Sequence, residues 1–183
     1  MRHFTKAIAA TLIAATGMLA AASPAWSAFP DRSIRLIVSF PPGGSSDAMA
    51  RIVQPFLEKK LGQTVIVENK PGAGGMIAID YVSKQPADGY VIGLGGAGAL
   101  GTNLGLQPMP YDPKKDVVAI TGLASSPFIL AAPKTFKGNT LQEVIAEAKA
   151  GQKLSIGHGG NGTLMHLTAL PFFGLADTVD TAP

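Results

Sequence analysis

Apolar residues run almost unbroken from Ile34 to Phe40 and end at Pro41-Pro42, a pattern that predicts a buried strand. Met49, Ile52, Val53, Phe56, Leu57 and Leu61 follow at i, i+3, i+4, i+7, i+8 and i+12, which predicts one apolar face of a helix. Ser45, Ser46 or Asp47 can cap its start and Gly62 can end it; Pro55 should kink it or loosen its first turns. Thr64–Glu68 reads as a second strand, Asn69–Gly75 as a glycine junction, Met76–Lys84 as a short helix and Tyr90–Leu94 as a third strand. The alternation suits right-handed crossovers and a parallel sheet, an α/β fold.

Two further apolar runs, Val117–Leu123 and Phe128–Ala132, flank Ser125-Ser126-Pro127, and that break marks the expected domain boundary. Thr140–Ala150 predicts a helix with a Thr cap, Glu143 at the capping-box position and an apolar face of Leu141, Val144, Ile145 and Ala148. Lys153–Ile156 predicts a strand. Gly157–Thr163 forms another glycine junction, leading into a helix from Leu164 that should stop at Pro171. A strand ending in glycines, with a hydroxyl residue opening a helix, therefore occurs twice: at Gly43-Gly44-Ser45 and at Gly160-Asn161-Gly162-Thr163.

The N-terminus has a different character. Arg2 and Lys6 precede an apolar run from Ala7 to Ala22, and Ala25-Trp26-Ser27 offers small residues for cleavage. This is the layout of a secretory signal peptide, residues 1–27; the apolar run is short for a membrane anchor. Two of the 15 Lys and Arg lie in this leader, so the remainder almost balances the 12 Asp and Glu. That balance, with no basic run among aromatics, predicts no nucleic-acid surface. Cysteine is absent, which excludes thiol nucleophiles and Cys-ligated zinc and suits an exported domain held by its core.

Glycines at a helix start let a ligand approach the backbone, and the open N–H groups with the helix dipole favour an anion. A tight turn explains one such junction equally well; two in different segments point to a ligand cleft. Neither matches the phosphate-loop pattern with its lysine, and a carboxylate requires no such lysine. The string GxGxxG at Gly93–Gly98 follows the third strand instead of the first and lacks the acid expected about 20 residues on. A hydrolase built on Ser45 or Ser46, Asp47 and a histidine lacks the GxSxG elbow. After the leader only His158 and His166 remain, without a metal-ligand spacing. His166 falls on the first turns of a helix beside the second glycine junction.

The combination PPGG…D from Pro41 to Asp47, VENKPGAGG from Val67 to Gly75, ADGY from Ala87 to Tyr90 and PYDPKKD from Pro110 to Asp116 resembles the Bug family. These are the extracytoplasmic substrate-binding receptors of tripartite tricarboxylate transporters, also called the TctC type. The resemblance runs from about Phe29 to Leu170 and implies a periplasmic binding protein-like Venus flytrap of type II. In such a receptor Pro42, Gly43, Gly44, Ser45 and Asp47 line the cleft from lobe one. Gly160, Asn161, Gly162 and Thr163, with His166, face them from lobe two, and Asn103 belongs to a third loop. The resemblance implies a monomeric, non-enzymatic periplasmic protein without cofactor or metal, binding a small carboxylate and partnered by membrane transport subunits. At Gly96–Leu100, where the family carries hydroxyl residues and often a histidine, this chain reads Gly-Ala-Gly-Ala-Leu, which suits a more apolar or bulkier acid. Family members are roughly twice as long as the chain after its leader. The expectation is thus a truncated receptor: lobe one at 28–124, nearly complete but lacking its return segment, and a partial lobe two at 125–183. The competing readings are a periplasmic hydrolase or other enzyme, and an inactive fragment.

Overall fold

The computed structural model describes residues 28–151, 153–173 and 179–182. The expected signal segment, 1–27, lies outside the described residues. All that follows concerns the compact unit that begins at Arg32. Among the described residues no helix is long and apolar enough to cross a membrane.

The chain first forms β1 (Ile34–Val38), α1 (Ser45–Leu61), β2 (Val65–Asn69), a 3-10 turn at Ala73–Gly75, α2 (Met76–Ser83) and β3 (Val91–Leu94). All three strands are parallel in the order β2-β1-β3, with Ile34 opposite Val65 and Arg35 opposite Val91. The central strand is covered on both faces. Ile34, Leu36 and Val38 meet Ala50, Leu57 and Leu61 of α1 on one side, while Arg35 reaches Tyr81 of α2 on the other. Alternation along one strand thus feeds two helix layers, which is why β1 reads as a nearly continuous apolar run.

The face of α1 differs from its sequence-based expectation. Ala50, Leu57 and Leu61 turn inward, whereas Ile52 and Phe56 are 59 and 67 % exposed. Two polar side chains set this rotation: Gln54 donates to the Val65 carbonyl at 2.7 Å, and Glu58 accepts from the Val65 amide at 2.9 Å. Small Ala50, fully buried, lets the helix approach β1 closely. Pro55 sits within the helix without ending it, and Gly62 closes it in the left-handed conformation at φ 67°.

Beyond β3 come α3 (Ala97–Leu100) and a second 3-10 turn, Thr102–Gly105. Residues 117–133 then carry no regular structure. The two apolar runs there are largely open to solvent, Val118 at 89 % and Ile129 at 84 %; among the described residues no strand pairs with them. The chain ends with α4 (Leu141–Lys149), β4 (Leu154–Gly157), α5 (Leu164–Phe173) and β5 (Val179–Ala182), where β4 and β5 pair in parallel. Contrary to expectation, α5 continues past Pro171 to Phe173; a proline two residues from a helix end removes only one of the last backbone bonds.

Candidate functional site

The first glycine junction leaves the carboxyl end of central β1. Gly43 adopts φ +82°, a conformation open to glycine, and Gly44 precedes the first turn of α1. No side chain caps that turn. Asp47 lies beneath the loop, 4 % exposed. One of its oxygens accepts from the Gly43 amide at 2.9 Å and from Arg51 Nε at 3.0 Å; the other accepts from Asn69 Nδ2 at 3.0 Å. Asn69 also donates to the Phe40 carbonyl, so this network fixes both ends of the turn. The Arg51 guanidinium, with the Gly43 amide and Asn69 carboxamide, holds the Asp47 carboxyl down at about 2. Asp47 therefore shapes the loop from below, with both carboxylate oxygens already engaged.

The second junction is built differently. Gly160 and Gly162 have φ of +114° and +77°. Thr163, 4 % exposed, donates its hydroxyl to the Gly160 carbonyl at 2.7 Å and accepts from the His166 amide at 3.3 Å, so it caps α5. His166 Nδ1 accepts from the Gly162 amide at 3.4 Å, and His158 Nδ1 accepts from the Gly160 amide at 3.1 Å. The two rings lie 4.6 Å apart. His166 thus holds the backbone of the loop, as does His158, which the sequence did not single out as a site residue.

Both junctions open onto one cavity of about 1010 Å³, to which Gly44, Ser45 and Ser46 contribute from the start of α1, and Thr163 and Leu164 from the start of α5. It also meets Gly95–Gly98 after β3. The loops after β1 and β3 leave the carboxyl ends of adjacent parallel strands, the edge at which open α/β sheets form ligand crevices.

Close approach at three glycines ties the second junction to its neighbouring loops. A Cβ on Gly98 would stand 2.7 Å from the Gly162 carbonyl oxygen, and one on Gly74 would stand 2.9 Å from that of Asn161. One on Gly162 would stand 2.8 Å from Asn103 Oδ1. Asn103 is fully buried there, and neither of its carboxamide atoms has a protein hydrogen-bond partner. Ser39, 1 % exposed, likewise has an unpartnered hydroxyl. It lines a smaller cavity of about 350 Å³ between Pro71–Gly75 and Gly159–Asn161. Sequence reasoning passed over Ser39, Gly74 and Gly98. Gly74 lay in a junction given no partner, and Gly98 was absorbed into the GxGxxG string.

The rival chemistries find little support in this geometry. The GxGxxG string runs into a helix of only four residues, and its Gly95 is explained by Ile79, whose side chain would be 2.8 Å from a Cβ. The histidine Nδ1 atoms are occupied by loop amides. Among the described residues no three metal-ligating side chains converge.

A parallel sheet with helices on both faces and a crevice at its carboxyl edge defines an α/β periplasmic binding protein fold, and solved structures share it. One, described as a periplasmic transporter, is 32 % identical with a TM-score of 0.78 over 85 % of this chain and 53 % of its own. MatC from Rhodopseudomonas palustris, solved with bound malate, is 30 % identical with a TM-score of 0.77, covering 85 % and 54 %. Another R. palustris protein, solved with adipate, is 31 % identical with a TM-score of 0.76, covering 84 % and 53 %.

Residues 49–174 match the model of the tripartite tricarboxylate transporter family receptor, and the chain belongs to that family of non-enzymatic solute-binding receptors. It is 39 % identical over 146 residues to the protein BugT of Bordetella pertussis, covering 79 % of this chain and 44 % of BugT. A Cupriavidus necator protein, encoded in the gbd 5' region, is 38 % identical over 176 residues, covering 91 % and 52 %. The chain thus spans about half the length of these relatives.

Proposed function

We propose that this chain captures a small organic carboxylate in the periplasm and presents it to the membrane subunits of a tripartite transporter. In this reading residues 1–27 direct export, 28–124 belong to the first lobe and 125–183 to the second, and the receptor acts as a monomer. The carrying observation is that the starts of α1 and α5 line the same cavity. Each supplies backbone N–H groups and the positive end of a helix dipole to a carboxylate between them. Gly43, Gly44 and Ser45 form one jaw over Pro42; Gly160, Asn161, Gly162 and Thr163 form the other. Asp47 and His166 hold the jaws in shape, and the Asn103 carboxamide lies unpartnered against Gly162. The relatives solved with malate and adipate support an acid as the ligand. Capture favours the closed arrangement to the extent that the acid binds it more tightly than the open one.

A thermal-shift scan of the chain from Ala28 onward against small carboxylates tests the proposal. An acid at about 100 times its dissociation constant adds about 2.7 kcal/mol, a readily measured rise in the melting midpoint. A cooperative transition that no acid raises would contradict it.

A further inference from the structure

Resting on that receptor reading, we infer that the ligand is a monocarboxylate with an apolar body, and that a second carboxylate weakens binding. The cavity is highly asymmetric in charge. Its one anion-attracting region is the pair of helix starts, beside which the fully buried Asn103 carboxamide lies unpartnered against Gly162. Away from that region the wall is mainly apolar, with Phe40, Leu100, Val117 and Phe128, and its polar members Ser83, Gln85, Thr121 and Ser126 are neutral. Among the described residues that line the cavity there is no Lys, Arg or His, and the charged side chain present is Asp116. Asp116 is anchored by the Asp112 amide at 2.7 Å, so its negative charge is held in place. Arg51, the cation nearest in sequence to the first jaw, is already paired with Asp47 at 3.0 Å.

A ligand with carboxylates at both ends would seat one at the helix starts. The other would leave water for an apolar wall with no cation to receive it and an acid among its neighbours. An ion transferred into such surroundings without a partner is strongly disfavoured. Replacing that second carboxylate by a methyl group removes the penalty and adds apolar contact with the same wall. The loop at Gly96–Leu100 has the same character, offering no side-chain hydroxyl or cation for a distal polar group. At about 1010 Å³ the cavity has room for a longer chain or an aromatic ring, since pockets of roughly 300–1,000 Å³ hold drug-sized ligands.

Hexanoate and adipate form a matched pair, differing only in the exchange of a terminal methyl for a carboxylate. Calorimetric titration of the chain from Ala28 onward at pH 7 should give hexanoate a dissociation constant about tenfold or more below that of adipate, with malate weaker still. In Ala97→Arg, which places a cation on an exposed position of the cavity wall, the preference should shift toward adipate. Adipate binding as tightly as hexanoate to the unsubstituted chain would overturn the inference while leaving the receptor reading intact. Binding of no acid at all, aliphatic, aromatic or dicarboxylic, would remove the receptor reading and this inference with it.

Discussion

Asp47 shows how one side chain shapes a loop at the cavity without lining the cavity itself. Its carboxyl is held at about 2, against an ordinary value of 3.8, chiefly by Arg51 and then by the Gly43 amide and Asn69. A group lowered on folding contributes stability that is complete above its unfolded value and is lost as pH falls through its folded one. Melting midpoints should therefore fall as pH drops from about 4 to about 2, and Asp47→Asn should flatten that fall. An unchanged slope in the variant would remove Asp47 from this role. Two glycines test separate physics. Gly43 has φ +82° and nothing within 4 Å of a Cβ, so Gly43→Ala should cost about 1–2 kcal/mol through backbone conformation alone. At Gly98 the obstacle is the Gly162 carbonyl 2.7 Å away, so Gly98→Ala should cost about 1–3 kcal/mol through crowding. Denaturant melts of the two variants provide the check.

The helices divide by how their starts are closed. Helix α4 has a complete capping box: Thr140 Oγ1 accepts from the Glu143 amide, and the Glu143 carboxylate reaches back to the Thr140 amide. Thr140→Ala should cost about 1 kcal/mol, read as a lowered midpoint; no change would show that the cap contributes nothing. Helix α1, nearly twice as long, has no side-chain cap and starts on the cavity, leaving its first turn open toward that space. Elements of this kind were legible in the sequence because their signals are local. The capping box, the αL glycine at Gly62 and the apolar run of β1 all depend on neighbours in the chain. The face of α1 was not legible, since Gln54 and Glu58 bind Val65 across a tertiary contact that periodicity does not encode. Of the candidate site, the two glycine junctions were readable as a pair. The contacts of Gly74 and Gly98 with the second junction were not, because nothing in their own segments names the partner that demands glycine.

At the scale of the whole molecule, the well-covered part is the sheet around β1, and the bare part is the stretch from 117 to 133. There Ile129 and Leu130 are 84 and 55 % exposed, an apolar surface of the kind that promotes association. The double substitution Ile129→Lys with Leu130→Lys should leave the free energy of unfolding within about 0.5 kcal/mol and reduce aggregation. A large destabilisation would show that these residues are packed in solution. The central claim is that the starts of α1 and α5 share one cavity. Amide chemical shifts of the 15N-labelled chain during titration with hexanoate test it most directly. The account predicts that Ser45 and Ser46 shift together with Leu164 and Met165 along a single binding curve. Shifts confined to one of the two junctions, or two curves with different midpoints, would contradict it.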